Sequence, residues 1–182
     1  MKKFSVSLDS NTPIPEFSLP STNGGAPMGT ATFKQQDNLL LFFFHDWSCD
    51  QCRAMLRELK EHADTYRWLD TRIVAIASSP LADLAPAAVE LEPDILMLYD
   101  GGGKVTDAFR TVDAVFGAPD APGPGPGGDN PFVVVADRYG AFFGRMEVEP
   151  GEDLDFGEIE SLLMFIETQC PECGRPVGDT YA

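Results

Sequence analysis

The segment "LLLFFFHDWSCDQCRAMLREL", residues 39–59, is the most informative about the fold, because a continuous apolar run passes directly into a helical pattern. Leu39–Phe44 show no alternation of apolar and polar residues, which is typical of a central strand covered on both faces. After residue 50, apolar residues recur at steps of three and four, which predicts an amphipathic helix. Its buried stripe comprises Cys52, Met55, Leu56, Leu59, Ala63 and Tyr66. Two cysteines three residues apart, Cys49 and Cys52, therefore lie where a strand ends and a helix begins.

Downstream of this corner, strand and helix patterns alternate. The runs "RIVAIA" (residues 72–77) and "DILMLYD" (94–100) predict two more strands. Between them we expect a helix with Leu81, Leu84, Ala88 and Leu91 on its apolar side, interrupted at Pro86 and stopped by Pro93. A turn at residues 101–103 and a short amphipathic helix follow. This order is typical of an α/β fold.

In the C-terminal half of the chain, the sequence pattern predicts a β-hairpin followed by a last helix. Residues 117–130 are rich in glycine and proline without periodicity, so we expect a mobile loop there. The run 131–148 predicts two strands joined by a turn, and Asp155 is placed to cap a final helix. That helix should bury Ile159, Leu162, Leu163 and Ile166. At the other end of the chain, residues 12–28 predict an extended arm with a turn at Gly24–Gly25.

Length and charge limit the classes of protein that fit. With 182 residues the chain can bury a core without disulfides or metals, and we expect one domain at 1–168 and a tail at 169–182. The net charge is −16, from 29 acidic and 13 basic residues, which disfavours nucleic acid and anionic membranes as partners.

The first residues contain no apolar run of signal-peptide length, so we expect a soluble, cytoplasmic protein. In that compartment a Cys-x-x-Cys pair is more often catalytic or metal-binding than a structural bridge.

The first cysteine pair favours redox chemistry. Cys-x-x-Cys at a helix start places both thiols on one side of the first turn, near enough to form a disulfide. Cys49 would lie at the helix N-terminus, where free N–H groups favour a thiolate, and Cys52 would be shielded on the apolar stripe. Two buried thiols that only pack, or half of a zinc site, remain the alternatives.

These residues resemble the thioredoxin superfamily, in particular its redoxin branch, which includes AhpC/TSA-like and peroxiredoxin-like proteins. The resemblance lies in the apolar strand, Trp47 and the Cys-x-x-Cys that opens a helix, and extends to "IPEFSLPSTNGG", "VAIASSP", "DILMLYDGGGKVTDAF" and "NPFVVVADRYG". It implies a thioredoxin-like sandwich, with a mixed central β-sheet flanked by helices and an N-terminal extended arm. It also implies an antioxidant, redox-active function without a cofactor.

The same resemblance implies roles for individual residues. Cys49 would be the attacking thiol and Cys52 the resolving thiol, and Pro131, after a cis peptide bond, would face them. Trp47 would support the site. Independently of the resemblance, His45 and Asp46 adjoin the thiols and could form a base with its orienting acid, although a histidine that only hydrogen-bonds its own loop is the simpler interpretation of His45. Two departures from the family pattern stand out. Ser48 separates Trp47 from the first cysteine, and the residues between the cysteines are Asp50 and Gln51.

Thiol–disulfide oxidoreductase is the function we expect, with protein or small-molecule disulfides as substrates and a reducing partner. The first alternative is a peroxiredoxin-type peroxidase. Peroxiredoxins have the pattern Pro-x-x-x-Thr-x-x-Cys around the thiol that attacks the peroxide. Counting back from Cys52 puts Cys49 at the threonine place and His45 at the proline place, and counting back from Cys49 puts Asp46 and Phe42 there. The hydroxyl that would orient a peroxide is therefore missing. The second alternative is a redox sensor or metal-binding module without turnover.

A second Cys-x-x-Cys closes the chain in "QCPECGRP", residues 169–176. Cys170 and Cys173 have the spacing of a zinc knuckle, but a structural zinc needs four ligands, so a second chain would have to supply two. Alternatively, the tail exchanges disulfides with Cys49 as a tethered carrier, or its thiols have no role. The sequence leaves these three interpretations open.

Overall fold

The computed structural model describes residues 5–6, 12–112 and 130–168. Within these ranges the strands are β1 (Ser5–Val6), β2 (Ser18–Leu19), β3 (Met28–Gly29), β4 (Asn38–Phe44), β5 (Thr71–Ala77), β6 (Ile95–Tyr99), β7 (Phe132–Ala136) and β8 (Phe142–Glu147). The helices are α1 (Thr30–Phe33), α2 (Asp50–Glu61), α3 (Ala63–Trp68), α4 (Leu81–Leu91), α5 (Lys104–Thr111) and α6 (Phe156–Thr168).

Six strands form one mixed sheet in the order β1-β8-β7-β4-β5-β6. β4 is central, parallel to β5 and antiparallel to β7, and every one of its residues is buried. An uninterrupted apolar run suits this position, because neither face of the strand meets water. The carboxyl end of β4 leads straight to the cysteines.

Helices cover both faces of the sheet. On one face, α2, α3, α4 and α6 pack against alternate strand residues such as Phe42 and Phe44. On the other, α1, α5 and the arm pack against Leu41 and Phe43. The mixed sheet flanked by helices confirms the fold class expected from the sequence, and it places α2 and the cysteines on the first of these faces.

The arm at residues 12–29 is part of the core. Ile14, Phe17 and Leu19 are buried, β2 and β3 form a small hairpin, and Gly24 in the turn has a φ of 72°. Backbone bonds from Tyr99 to Pro20 and from Thr22 to Met97 also attach the arm to β6. The arm therefore covers the edge strand that would otherwise be open.

The expected interruption of the helix at Pro86 needs correction. α4 continues through Pro86 because Leu84, Ala87 and Leu91 bury its side against the sheet, so tertiary packing outweighs the lost hydrogen bond. His62 stacks on Phe156 at 4.8 Å and lies 2.7 Å from a Glu160 carboxylate oxygen, because α6 packs beside it. The predicted loop at 117–130 lies, except for Asn130, outside the described residues.

Among the described residues, no helix combines the length and apolar character that crossing a membrane requires.

Asp155 caps α6, as expected. A carboxylate oxygen accepts the Glu158 N–H at 3.0 Å. We predict that Asp155→Ala lowers the free energy of unfolding by about 1 kcal/mol, the usual value of such a cap. Urea denaturation measures it, with Asp153→Ala as the control because Asp153 is exposed and equally charged. Equal losses in the two variants would show that charge, and not the cap, is responsible.

Candidate functional site

The cysteines form a disulfide at the first turn of α2. Cys49 is the N-terminal cap residue, and its Cα lies 5.3 Å from that of Cys52. The Cys49 sulfur also accepts the Cys52 N–H at 3.1 Å. This donor, together with the positive end of the helix dipole, stabilises negative charge on the Cys49 sulfur when the pair is reduced.

The two cysteines differ in exposure. Cys49 is half-buried at the surface, whereas Cys52 is 2% exposed and belongs to the main apolar cluster with Phe44 and Leu56. The expected difference in exposure is present, because Cys52 occupies the apolar stripe and Cys49 precedes it. Which thiol attacks and which resolves stays a prediction.

Asp46 and Ser48 shape the loop before the disulfide. One Asp46 carboxylate oxygen accepts both the Ser48 N–H, at 2.7 Å, and the Ser48 hydroxyl. The bond from the hydroxyl is the largest cause that holds the pKa of Asp46 below its ordinary value of 3.8. Ser48, the residue that departs from the family pattern, thus supports a carboxylate next to the thiols. Trp47 packs against the apolar cluster that contains Cys52.

The pKa of Asp46 can be tested directly. Because it is lower in the folded chain than in the unfolded one, the stability that Asp46 contributes is complete above pH 3.8 and is lost as the pH falls through the lowered value. We predict that Ser48→Ala moves the pKa up toward 3.8. Carbon-detected NMR titration of the Asp46 carboxyl measures this shift, and an unchanged pKa would contradict the assignment of Ser48 as its main cause.

His45 lies at the end of β4 and bonds to a neighbouring loop. Its Nδ1 is 3.0 Å from the Ser78 hydroxyl, which itself donates to the His45 carbonyl at 3.2 Å. Its Nε2 is 3.9 Å from an Asp46 carboxylate oxygen. His45 does form a hydrogen bond, as the simpler interpretation expects. Its partner, Ser78, lies in the loop after β5 and not in the loop that His45 itself begins. Parallel pairing of β4 and β5 brings these two loops together.

Gln51, which sequence reasoning treated only as a departure from the pattern, makes the most extensive contacts of the residues between the cysteines. Its side-chain amide donates to the carbonyl oxygens of Glu149, at 2.9 Å, and Glu152, at 2.7 Å. A turn 98 residues away in sequence is thereby attached to the disulfide-bearing helix. No sequence signal could have identified it, because the acceptors are backbone atoms.

Pro131 is buried at the start of β7, but the bond before it is not cis. Of the described peptide bonds, the one in the cis form is Glu92–Pro93. The trans bond at Pro131 fits the extended course of the chain, because the Pro131 carbonyl accepts the Val148 N–H at 2.8 Å and continues the β7–β8 pairing. The expected cis bond is therefore wrong, and the role of Pro131 beside the thiols stays a prediction.

Two buried arginines lie where β7 begins. The guanidinium groups of Arg110 and Arg145 stand 4.6 and 5.0 Å from the centre of the Phe132 ring. Arg110 donates to the Asn130 carbonyl at 2.9 Å, and Arg145 donates to the Arg110 carbonyl at 2.7 Å. This cluster faces the side of the sheet opposite α2. The two arginines therefore stabilise the start of β7 from the face of the sheet opposite α2.

Metal binding is not tested by the described part of the chain. There, no group of three or more histidine, cysteine, aspartate or glutamate residues is arranged to hold a metal ion. Cys170 and Cys173 lie outside the described residues. The zinc interpretation of the tail stays a prediction.

Comparisons with solved structures show the fold. Peroxidoxin BcpB from Mycobacterium tuberculosis is 18% identical, with a TM-score of 0.68 over 86% of this chain and 97% of that one. A thiol peroxidase from Chromobacterium violaceum is 20% identical, with a TM-score of 0.66 over 88% and 89%. A thiol:disulfide interchange protein of the thioredoxin family from Chlorobium tepidum TLS is 16% identical, with a TM-score of 0.64 over 86% and 96%. The expected thioredoxin-like fold is confirmed.

Sequence comparison identifies the family. Among curated proteins, none matches this chain. The profile of the AhpC/TSA family matches residues 11–143, which include the arm, the disulfide and most of the sheet. Together with the thioredoxin-like fold, this match over most of the chain shows that the protein belongs to the AhpC/TSA family.

Proposed function

We propose that the protein is a thiol–disulfide oxidoreductase that uses the Cys49–Cys52 pair. The observation that carries the proposal is the disulfide at the N-terminus of α2 with one half-buried and one fully buried cysteine. An accessible sulfur suits exchange with an external disulfide, and a shielded neighbour suits the second, intramolecular step. The substrates would be protein or small-molecule disulfides, with a reducing partner and no cofactor, in the cytoplasm.

The reaction has two steps in which atoms and electrons balance. The Cys49 thiolate attacks one sulfur of a substrate disulfide, a bond forms between the two sulfurs, and the other substrate sulfur leaves as a thiolate that takes a proton. The Cys52 thiolate then attacks the Cys49 sulfur, which closes the enzyme disulfide and releases the second substrate thiol. Two electrons pass to the substrate. A reducing dithiol returns them by attack at Cys49.

Local charge affects both steps. The Cys52 N–H and the helix dipole favour the Cys49 thiolate. Asp46 opposes it, because its lowered pKa keeps this carboxyl ionised beside the loop that carries Cys49. Asp50 adjoins Cys49, but Arg53 binds its carboxylate. We therefore expect a moderately activated thiolate.

Turnover tests the proposal. The protein should reduce insulin disulfides catalytically with dithiothreitol as donor, and Cys49→Ser should reduce this activity to the uncatalysed rate. Parallel assays with hydrogen peroxide cover the peroxidase alternative. Peroxide consumption without insulin reduction would replace the proposal by a peroxidase. A single stoichiometric oxidation without turnover in either assay would indicate a redox sensor.

A further inference from the structure

Gln51 ties the disulfide-bearing turn to a second turn that lies beside it. The residues Glu149–Glu152 form a reverse turn in which the Glu152 N–H donates to the Glu149 carbonyl at 3.1 Å. Pro150 and Gly151 occupy its centre, and Gly151 has a φ of 81°, as the third position of a type II turn requires. The Gln51 amide donates to the carbonyls at both ends of this turn. One side chain thus uses both of its donors on one turn.

The residues that flank this turn are buried in the same apolar cluster as Cys52. They are Val148 before the turn and Leu154 after it. Cys52 is 2% exposed, although it lies in the first turn of a helix that begins at a surface loop. Cover from another segment is needed for such burial, and the described segment attached to that first turn by hydrogen bonds is 148–154.

We propose that Gln51 is a positioning residue that assigns the two cysteines their different roles. By holding the 149–152 turn against α2, it keeps the Cys52 sulfur covered while the Cys49 sulfur stays open to an incoming thiol or disulfide. The inference rests on the proposed function, in which the two sulfurs act at different steps. It predicts that the preferential reaction of Cys49 over Cys52 depends on the two amide donors of Gln51, and not merely on the size of the Gln51 side chain.

The chemistry of the contact explains why glutamine suits this place. Both acceptors are carbonyl oxygens, so the side chain must offer two N–H donors at the end of a chain of this length. Methionine has nearly the same length and volume without donors, and glutamate has the same shape but presents only acceptors at neutral pH. Gln51→Met and Gln51→Glu therefore remove the donors and retain the bulk.

The test is competitive alkylation of the reduced protein with iodoacetamide, followed by mass spectrometry of the peptides that contain Cys49 and Cys52. Gln36→Met is the matched control, because Gln36 is an exposed glutamine at the opposite end of the sheet. In the wild type and the control, Cys49 should react faster. In Gln51→Met and Gln51→Glu, the ratio of the Cys49 rate to the Cys52 rate should fall by about tenfold, the factor that a net 1.4 kcal/mol of hydrogen bonding represents.

Hydrogen exchange of the Glu152 amide gives a second readout. Loss of its protection together with the change in ratio supports the proposal. Loss of protection with an unchanged ratio shows that Gln51 holds the turn but that the turn does not cover Cys52, which overturns the proposal. No change in either measurement also overturns it. If Gln51→Met does not fold, Gln51→Glu alone gives both measurements.

The outcome of the alkylation test does not depend on whether the protein turns over a disulfide substrate. Alkylation rates report which sulfur is open whether or not the protein reduces insulin. A wild-type protein without oxidoreductase activity would contradict the proposed function and leave the alkylation ratio as the measure of the role of Gln51. Conversely, an active protein whose ratio does not respond to Gln51→Met would retain the function and lose this inference.

Discussion

Cys49→Ser is expected to lower the rate of disulfide exchange by about a thousandfold or more, because a serine hydroxyl is not ionised at neutral pH and cannot replace a thiolate as nucleophile. Cys52→Ser should behave differently. Its Cys49 still attacks a substrate disulfide, but no neighbouring thiolate releases the product, so a mixed disulfide accumulates. The difference in exposure between the half-buried Cys49 and the buried Cys52 underlies this asymmetry.

Mass spectrometry after incubation with oxidised glutathione measures the trapped adduct. We expect one glutathione on Cys49 in Cys52→Ser and none on Cys52 in Cys49→Ser. The comparison also tests the tail, because in Cys52→Ser a link from Cys49 to Cys170 or Cys173 would support the tethered carrier. Preferential trapping on Cys52 would reverse the two roles.

Phe43→Ala is expected to lower the free energy of unfolding by about 3–5 kcal/mol, the usual cost of removing a buried phenylalanine side chain. Phe43 is 1% exposed on β4. Its ring stacks on that of Phe132 at 4.5 Å and lies 5.0 Å from that of Phe109. Arg110 and Arg145 in turn lie over the Phe132 ring. The cavity would therefore open between the sheet and α5, beside the Phe132 ring.

Guanidinium denaturation of the oxidised proteins measures this loss, because an intact disulfide keeps the unfolded states comparable. Phe43→Leu is the matched control, which retains most of the volume without the ring contacts and should cost less than half as much. A loss below about 1 kcal/mol for Phe43→Ala would show that the neighbouring rings close the cavity.

The order of the elements could be predicted from the sequence because it depends on local periodicity. Leu39–Phe44 are apolar without interruption and form the central strand, and the stripe that contains Cys52 and Met55 is buried as expected. The cap of α6 by Asp155 likewise depends on residues three apart. Hydrophobic spacing and capping act within a few residues, so the sequence alone carries this information.

Contacts between distant segments could not be predicted in this way. The sequence contains no sign that α6 would pack on His62 or that Ser78 would bond to His45. Each depends on how loops that are far apart along the chain meet. Tertiary packing also carried α4 through Pro86, against the local preference.

The same division between local sequence information and contacts of distant segments applies to the disulfide. Spacing and position at a helix start were enough to predict that Cys49 and Cys52 lie close enough for a disulfide, with Cys49 the more exposed. The tertiary structure alone brought the Gln51 amide to the carbonyls of Glu149 and Glu152 and buried Cys52 in an apolar cluster that includes Val148 and Leu154. The reason is physical: helix geometry sets the distance between two thiols one turn apart, whereas the burial of Cys52 depends on segments distant in the sequence that only folding brings together.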